Sequence, residues 1–94
     1  MKLISNKPLR EFAAVHPDAE AALQAWRRLI ERGDFRSFAA LRETFAAVDK
    51  VGPRYVFNIG GNKYRLVAAI AFQPGIVWVK AVLTHGEYDK GAWR

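Results

Sequence analysis

The chain has 94 residues, 51% of them hydrophobic and 26% charged, and its 15 Lys and Arg against 9 Asp and Glu leave a net charge of +6. That length suits one domain spanning residues 1–94, and the composition excludes a disordered polar chain. The absence of cysteine excludes a disulfide scaffold, a thiolate zinc site and a cysteine nucleophile, and with no run of ~20 apolar residues and no secretion-type apolar start it predicts a cytoplasmic protein without a membrane partner.

The elements follow in chain order. Lys2 to Ser5 reads as a short strand. Pro8 suits the first turn of a helix over about 8–15, where its missing N–H costs little. His16-Pro17-Asp18 breaks that helix and opens the next, with Asp18 and Glu20 favourably placed in its first turn. Ala19, Ala22, Leu23, Trp26, Leu29 and Ile30 recur at three- and four-residue spacing, the strongest helical pattern in the chain. Gly33 reads as its natural C′ stop. A helix or helical turn follows Ser37, with Phe38, Leu41 and Phe45 on one side.

Past Val51-Gly52-Pro53 the period changes to two. Tyr55, Phe57 and Ile59 form one stripe, and Gly60-Gly61-Asn62 supplies residues that tolerate positive φ, which predicts a hairpin. From Lys63 to Phe72 the stripe Tyr64, Leu66, Ala68, Ile70, Phe72 alternates with Lys63, Arg65, Val67, Ala69, Ala71. Gln73-Pro74-Gly75 is a turn, and Ile76 to Thr84 a third strand in which Lys80 shares a face with Ile76, Trp78 and Val82. Helices first and strands afterwards define an α+β fold, with N-terminal helices packed on one face of a small antiparallel sheet.

Charge is unevenly spread. Residues 1–49 carry eight basic and seven acidic side chains, whereas residues 50–94 carry seven basic and two acidic. A basic second half points to a polyanionic partner, either nucleic acid or an acidic protein segment. Arg65 and Lys80 each interrupt an apolar strand, and a mid-strand cation needs water, a carboxylate or a ligand anion. The plain alternative is two cations on a solvated face. His85 and Tyr88 stand three apart after the last strand and would share a side of a helical turn there. Imidazole and phenol can both move protons. His16 at the helix junction reads as structural, Trp26 as core, and Trp78 and Trp93 as core rather than base-stacking residues. The two histidines have no carboxylate pattern that would make a metal site, and no Walker loop or nucleophile elbow occurs.

The run Tyr55-Val56-Phe57-Asn58-Ile59-Gly60-Gly61-Asn62-Lys63-Tyr64-Arg65-Leu66-Val67-Ala68, followed by Lys80-Ala81-Val82-Leu83-Thr84-His85-Gly86-Glu87-Tyr88-Asp89-Lys90, resembles the HigB toxin family. These are RelE-like mRNA interferases of type II toxin–antitoxin modules. The resemblance spans nearly the whole chain. It implies a RelE-like fold and cleavage of mRNA on the translating ribosome, in the A site of the small subunit. It also implies inhibition of translation and neutralisation by a HigA-type helix-turn-helix antitoxin, through which alone operator DNA is bound. It implies a metal-independent endoribonuclease without cofactor, in which the ribose 2′-OH attacks the adjacent phosphate to leave 2′,3′-cyclic phosphate and 5′-OH ends.

Carried onto this sequence, the resemblance makes Arg65, Lys80, His85 and Tyr88 the catalytic set, with Arg54, Lys63 and Lys90 holding flanking RNA. Relatives often have Arg where this chain has Lys80. Arg65 would hold phosphate oxygens in bidentate fashion and Lys80 as a point charge. His85 would transfer a proton, with Tyr88 orienting the nucleotide or assisting. Two other readings keep the basic face: a domain that blocks translation by binding RNA or the ribosome without cutting, and a co-repressor partner with a degenerate site.

Overall fold

The computed structural model describes every residue except Ser5 and Arg94, so the end of the expected first strand lies outside the described residues. Strand β1 (Lys2–Ile4) leads to helix α1 (Lys7–Val15), which carries Pro8 in its first turn and buries Leu9 and Ala13. One 3₁₀ turn (Pro17–Ala19) joins it to helix α2 (Glu20–Arg32), whose buried Leu23, Trp26 and Ile30 are the residues the spacing selected. Asp18 therefore stands in the connecting turn rather than in the first turn of α2. Helix α3 (Phe38–Thr44) is capped by Ser37, whose hydroxyl accepts the Ala40 N–H at 3.1 Å.

Gly33 ends α2 for a different reason from the one its residue type suggests. Its φ of −80° and ψ of 155° are extended, not left-handed. A Cβ at this position would run into the Phe35 ring, so a close approach demands the glycine.

The remaining elements are β2 (Asp49–Val51), β3 (Arg54–Ile59), β4 (Tyr64–Ala71), β5 (Ile76–Thr84) and the short helix α4 (His85–Asp89). The sheet has five strands in the order β1-β5-β4-β3-β2. Gly60 and Gly61 turn the β3–β4 hairpin with φ of 63° and 70°. The sheet is antiparallel except at one edge, where β1 runs parallel to β5. Strand β2 was not expected. Three residues, Asp49-Lys50-Val51, are too few to show an alternation, and pairing with β3 is what orders them.

An irregularity between Val67 and Ala68 changes the reading of β5. Val67 pairs with Ala81 and Ala68 with Val79, which leaves Lys80 as the extra residue of a β-bulge. Val79 and Val82 then both lie on the helix side, where Val82 packs against the core. Lys80 keeps Trp78 and Ile76 as neighbours on its face, but Val82 leaves it, contrary to strict alternation.

The core lies between helices and sheet. Leu23, Trp26 and Ile30 join Phe57, Leu66 and Val77 in one buried cluster, and the Trp26 and Phe57 rings meet edge to face at 5.3 Å. The opposite, outer face carries Arg54, Val56, Arg65, Val67 and Lys80. Helix α4 packs there against β4 and β5, and Val56 and Val67 are buried without belonging to the main cluster. Among the described residues, no helix is long and apolar enough to cross a membrane.

Candidate functional site

Arg65 leaves the β3–β4 hairpin on the outer face of β4, opposite Asn58 on one side and Leu83 on the other. It is only 9% exposed. Its guanidinium donates to the carbonyls of Asn62 (3.2 Å) and Tyr64 (3.1 Å) and to the Asn62 side-chain oxygen (2.6 Å). These bonds fix the planar group, and it stands 5.6 Å from the centre of the Tyr88 ring. Two of its five N–H donors remain without a partner among the described residues.

Lys80 sits on the same face of the neighbouring strand. The bulge lifts it out of the ladder, it is exposed, and its ammonium has no ion-pair or hydrogen-bond partner among the described residues. The sheet thus presents one anchored guanidinium and one exposed point charge on adjacent strands.

Strand β5 ends at Thr84, and α4 starts at once. Thr84 and Glu87 form a capping box: the Glu87 N–H donates to the Thr84 hydroxyl at 3.2 Å, and the Thr84 N–H donates to the Glu87 carboxylate at 2.9 Å. These bonds hold the Glu87 carboxyl below its usual pKa, with a smaller contribution from the charge on His16. The cap positions His85 as the first residue of the helix. Its Nδ1 lies 2.9 Å from the Asp89 carboxylate one turn later. This pairing orients the ring and leaves Nε2 as the nitrogen without a partner among the described residues. In the chain, His85 follows by two positions Leu83, the residue of β5 that pairs with Arg65.

Tyr88, on the same short helix, is half-buried. Its ring touches the Arg65 guanidinium and stacks on Trp93 with centroids 4.9 Å apart and planes 13° from parallel. The Trp93 indole N–H donates to the Tyr88 carbonyl at 2.9 Å. Trp93 is therefore not a core residue, as its type had suggested; it covers the outer face.

The flanking cations are distributed differently. Arg54 opens β3 on the outer face and lines a small cavity with Trp93. Lys90 is the exposed C-cap of α4. Lys63 turns the other way. Its ammonium pairs with Asp18 at 3.3 Å on the helix side of the hairpin. Asp18 also accepts the Tyr64 hydroxyl at 2.8 Å, a bond that lowers the Asp18 pKa and raises that of Tyr64. The Lys63 pair is exposed and so weak enough to exchange for another anion. His16 stacks on Phe12 at 4.4 Å and is half-buried, which matches its structural reading. No group of three or more metal-ligating side chains occurs among the described residues.

The residue types alone had not picked out Asn62, Asp89 and Trp93. The first two were legible in principle: Asn62 stands three residues before Arg65 across a glycine turn, and Asp89 stands four after His85 on a helix. Trp93 had no such signal, because the chain reversal at Gly91 (φ 74°) brings it back.

The sequence model of a family described as HigB toxin, RelE-like toxic component of a toxin–antitoxin system, matches residues 19–91. The mRNA interferase toxin HigB of Escherichia coli strain K12 is 35% identical over 92 residues, covering 95% of this chain and 88% of that protein. The mRNA interferase HigB of Escherichia coli O6:H1 is 36% identical over 93 residues, covering 96% and 90%. A relative from Shigella flexneri, also called mRNA interferase HigB, is 35% identical. The fold is that of a small α+β domain with one basic sheet face, and the chain belongs to the HigB toxin family.

Proposed function

We propose that this chain is the toxin of a type II module and acts in the cytoplasm as an endoribonuclease on mRNA in the ribosomal A site. The observation that carries this reading is the contact of the Arg65 guanidinium with the Tyr88 ring on the sheet face that also carries Lys80, with the His85–Asp89 pair on the same short helix as Tyr88. The relatives' description as mRNA interferases supports it. A HigA-type antitoxin neutralises the toxin, and the complex reaches operator DNA through the antitoxin.

The chemistry requires a proton acceptor for the 2′-OH, positive charge for the phosphorane-like transition state, and a proton donor for the leaving 5′-oxygen. No step in this scheme calls on a metal. Lys80 neutralises a non-bridging oxygen, and the two remaining N–H donors of Arg65 serve the same phosphate. His85 exchanges the proton through Nε2 while Asp89 holds Nδ1. Tyr88 supports the nucleotide. The 2′-oxygen bonds to phosphorus as the P–O5′ bond breaks. The products are a 2′,3′-cyclic phosphate and a 5′-OH.

Growth arrest and message cleavage, measured at equal protein level, test the reading. His85→Ala and Lys80→Ala should each lower cleavage about 10²–10³-fold, the scale of a lost transition-state donor. A 2′-deoxy sugar at the scissile nucleotide should abolish it. Full activity in both variants, or cutting of the deoxy message, would overturn the proposal.

The near-complete enclosure of Arg65 favours a second reading: a face that binds RNA or the ribosome and blocks translation without cutting. Discrete new message ends after induction separate the nuclease from that blocker.

A further inference from the structure

We infer that the cavity beneath Trp93 is a nucleobase subsite for a nucleotide flanking the one that is cut. It measures about 290 Å³ and is lined by Val51, Gly52, Pro53, Arg54 and Trp93. This inference rests on the RNA reading of the basic face and names a binding site within it.

Three observations carry it. The first is the lining: an indole, a proline ring and a valine make an apolar slot, and the indole N–H is already bonded to the Tyr88 carbonyl. A planar heterocycle suits such walls, and stacking holds a base without reading its edge. The second is charge. Among the described residues Arg54 is the one charged side chain of the lining, and it is a cation, complementary to the phosphate that accompanies a base. The third is continuity. Arg65 contacts Tyr88, Tyr88 stacks on Trp93, and Trp93 walls the cavity. A strand whose scissile phosphate lies by Arg65 and Lys80 is led along this stack to Arg54. The volume is at the lower end for small-molecule pockets. The subsite binds any base and favours purines, whose larger π-faces stack better.

The test uses the full chain and 2′-O-methylated hexa-adenylate, which the 2′-OH chemistry cannot cut. The same hexamer backbone without bases is the control. Addition of the hexamer should shift the Trp93 indole N–H resonance. Val51→Trp fills the cavity without emptying any core position, and Trp93→Ala removes a wall. Either should reduce the preference for the base-bearing hexamer over its abasic control by about 5- to 100-fold, the scale of one stacked base. Trp93→Phe, which can still stack, should keep most of the preference. Equal preference in wild type and Val51→Trp overturns the inference, as does an unmoved indole resonance. A shift produced by the antitoxin and not by the hexamer also overturns it and assigns the cavity to protein. If the hexamer binds as expected but unmodified RNA is never cut, the nuclease reading fails and the subsite stands. If RNA is cut while Val51→Trp binds normally, the reverse holds.

Discussion

Single residues in this protein are held by contacts that their type does not announce. Arg65 is a mid-strand cation by sequence, yet Asn62 and the Tyr64 carbonyl hold it in place. Asn62→Ala removes the 2.6 Å acceptor and loosens the guanidinium, which keeps only its two backbone carbonyl partners. Under the proposed mechanism Asn62 is a positioning residue. Its loss should lower kcat about tenfold with KM nearly unchanged, since misplacing a catalytic group by an ångström can cost up to ~10²-fold; Asn62→Asp should restore part of the rate. Single-turnover kinetics on a cleaved message would show this split. Gly33 is the corresponding structural case. Gly33→Ala drives a methyl into the Phe35 ring, so its urea unfolding midpoint should fall, by about 1–3 kcal/mol of stability, the usual cost of overpacking. An unchanged midpoint would mean that Phe35 can move aside freely.

At the scale of elements, α4 is the piece on which the site depends. Five residues are too few to be stable alone, and the Thr84–Glu87 capping box supplies the missing partners. Thr84→Ala should destabilise the chain by about 1 kcal/mol and reduce cleavage more than it reduces stability, because His85 and Tyr88 lose their common mount. The pH dependence has a definite sign. The folded pKa of Glu87 is depressed from its ordinary 4.5. Its contribution is therefore complete above that ordinary value and disappears as pH falls through the depressed one. Melting temperatures taken across the acid range should show a steeper low-pH decline for the native chain than for Glu87→Gln. Parallel curves would show that the box contributes no pH-linked stability.

For the molecule as a whole, one face of the sheet makes the core and the other collects charge. Leu23, fully buried in the cluster that joins α2 to the sheet, should cost about 2–5 kcal/mol as Leu23→Ala in chemical denaturation. The outer face should bind single-stranded RNA with strong salt dependence, because each neutralised phosphate releases counterions. Lys80→Gln should make the log–log salt slope shallower by about 0.7, the value of one contact on a single strand. Lys63→Gln should change it less, since Lys63 is paired with Asp18 on the helix side.

How much of this could be read in advance depends on the range of the interactions involved. The three-four spacing of α2, the alternation of β3 and β4 and the glycine turn between them follow from neighbours within a few residues, so sequence alone determined the helices, the main strands and the α+β class. The cationic and proton-bearing residues were also visible as residue types, and the family resemblance singled them out. Tertiary structure alone decided what joins distant positions. It set β1 parallel to β5, recruited Asp49–Val51 as an edge strand, and placed the bulge that moves Val82 inward while leaving Lys80 outside. It turned Lys63 toward Asp18 and brought Trp93 back onto Tyr88. None of these has a local period, because each depends on which surfaces remain to be covered once the core has closed.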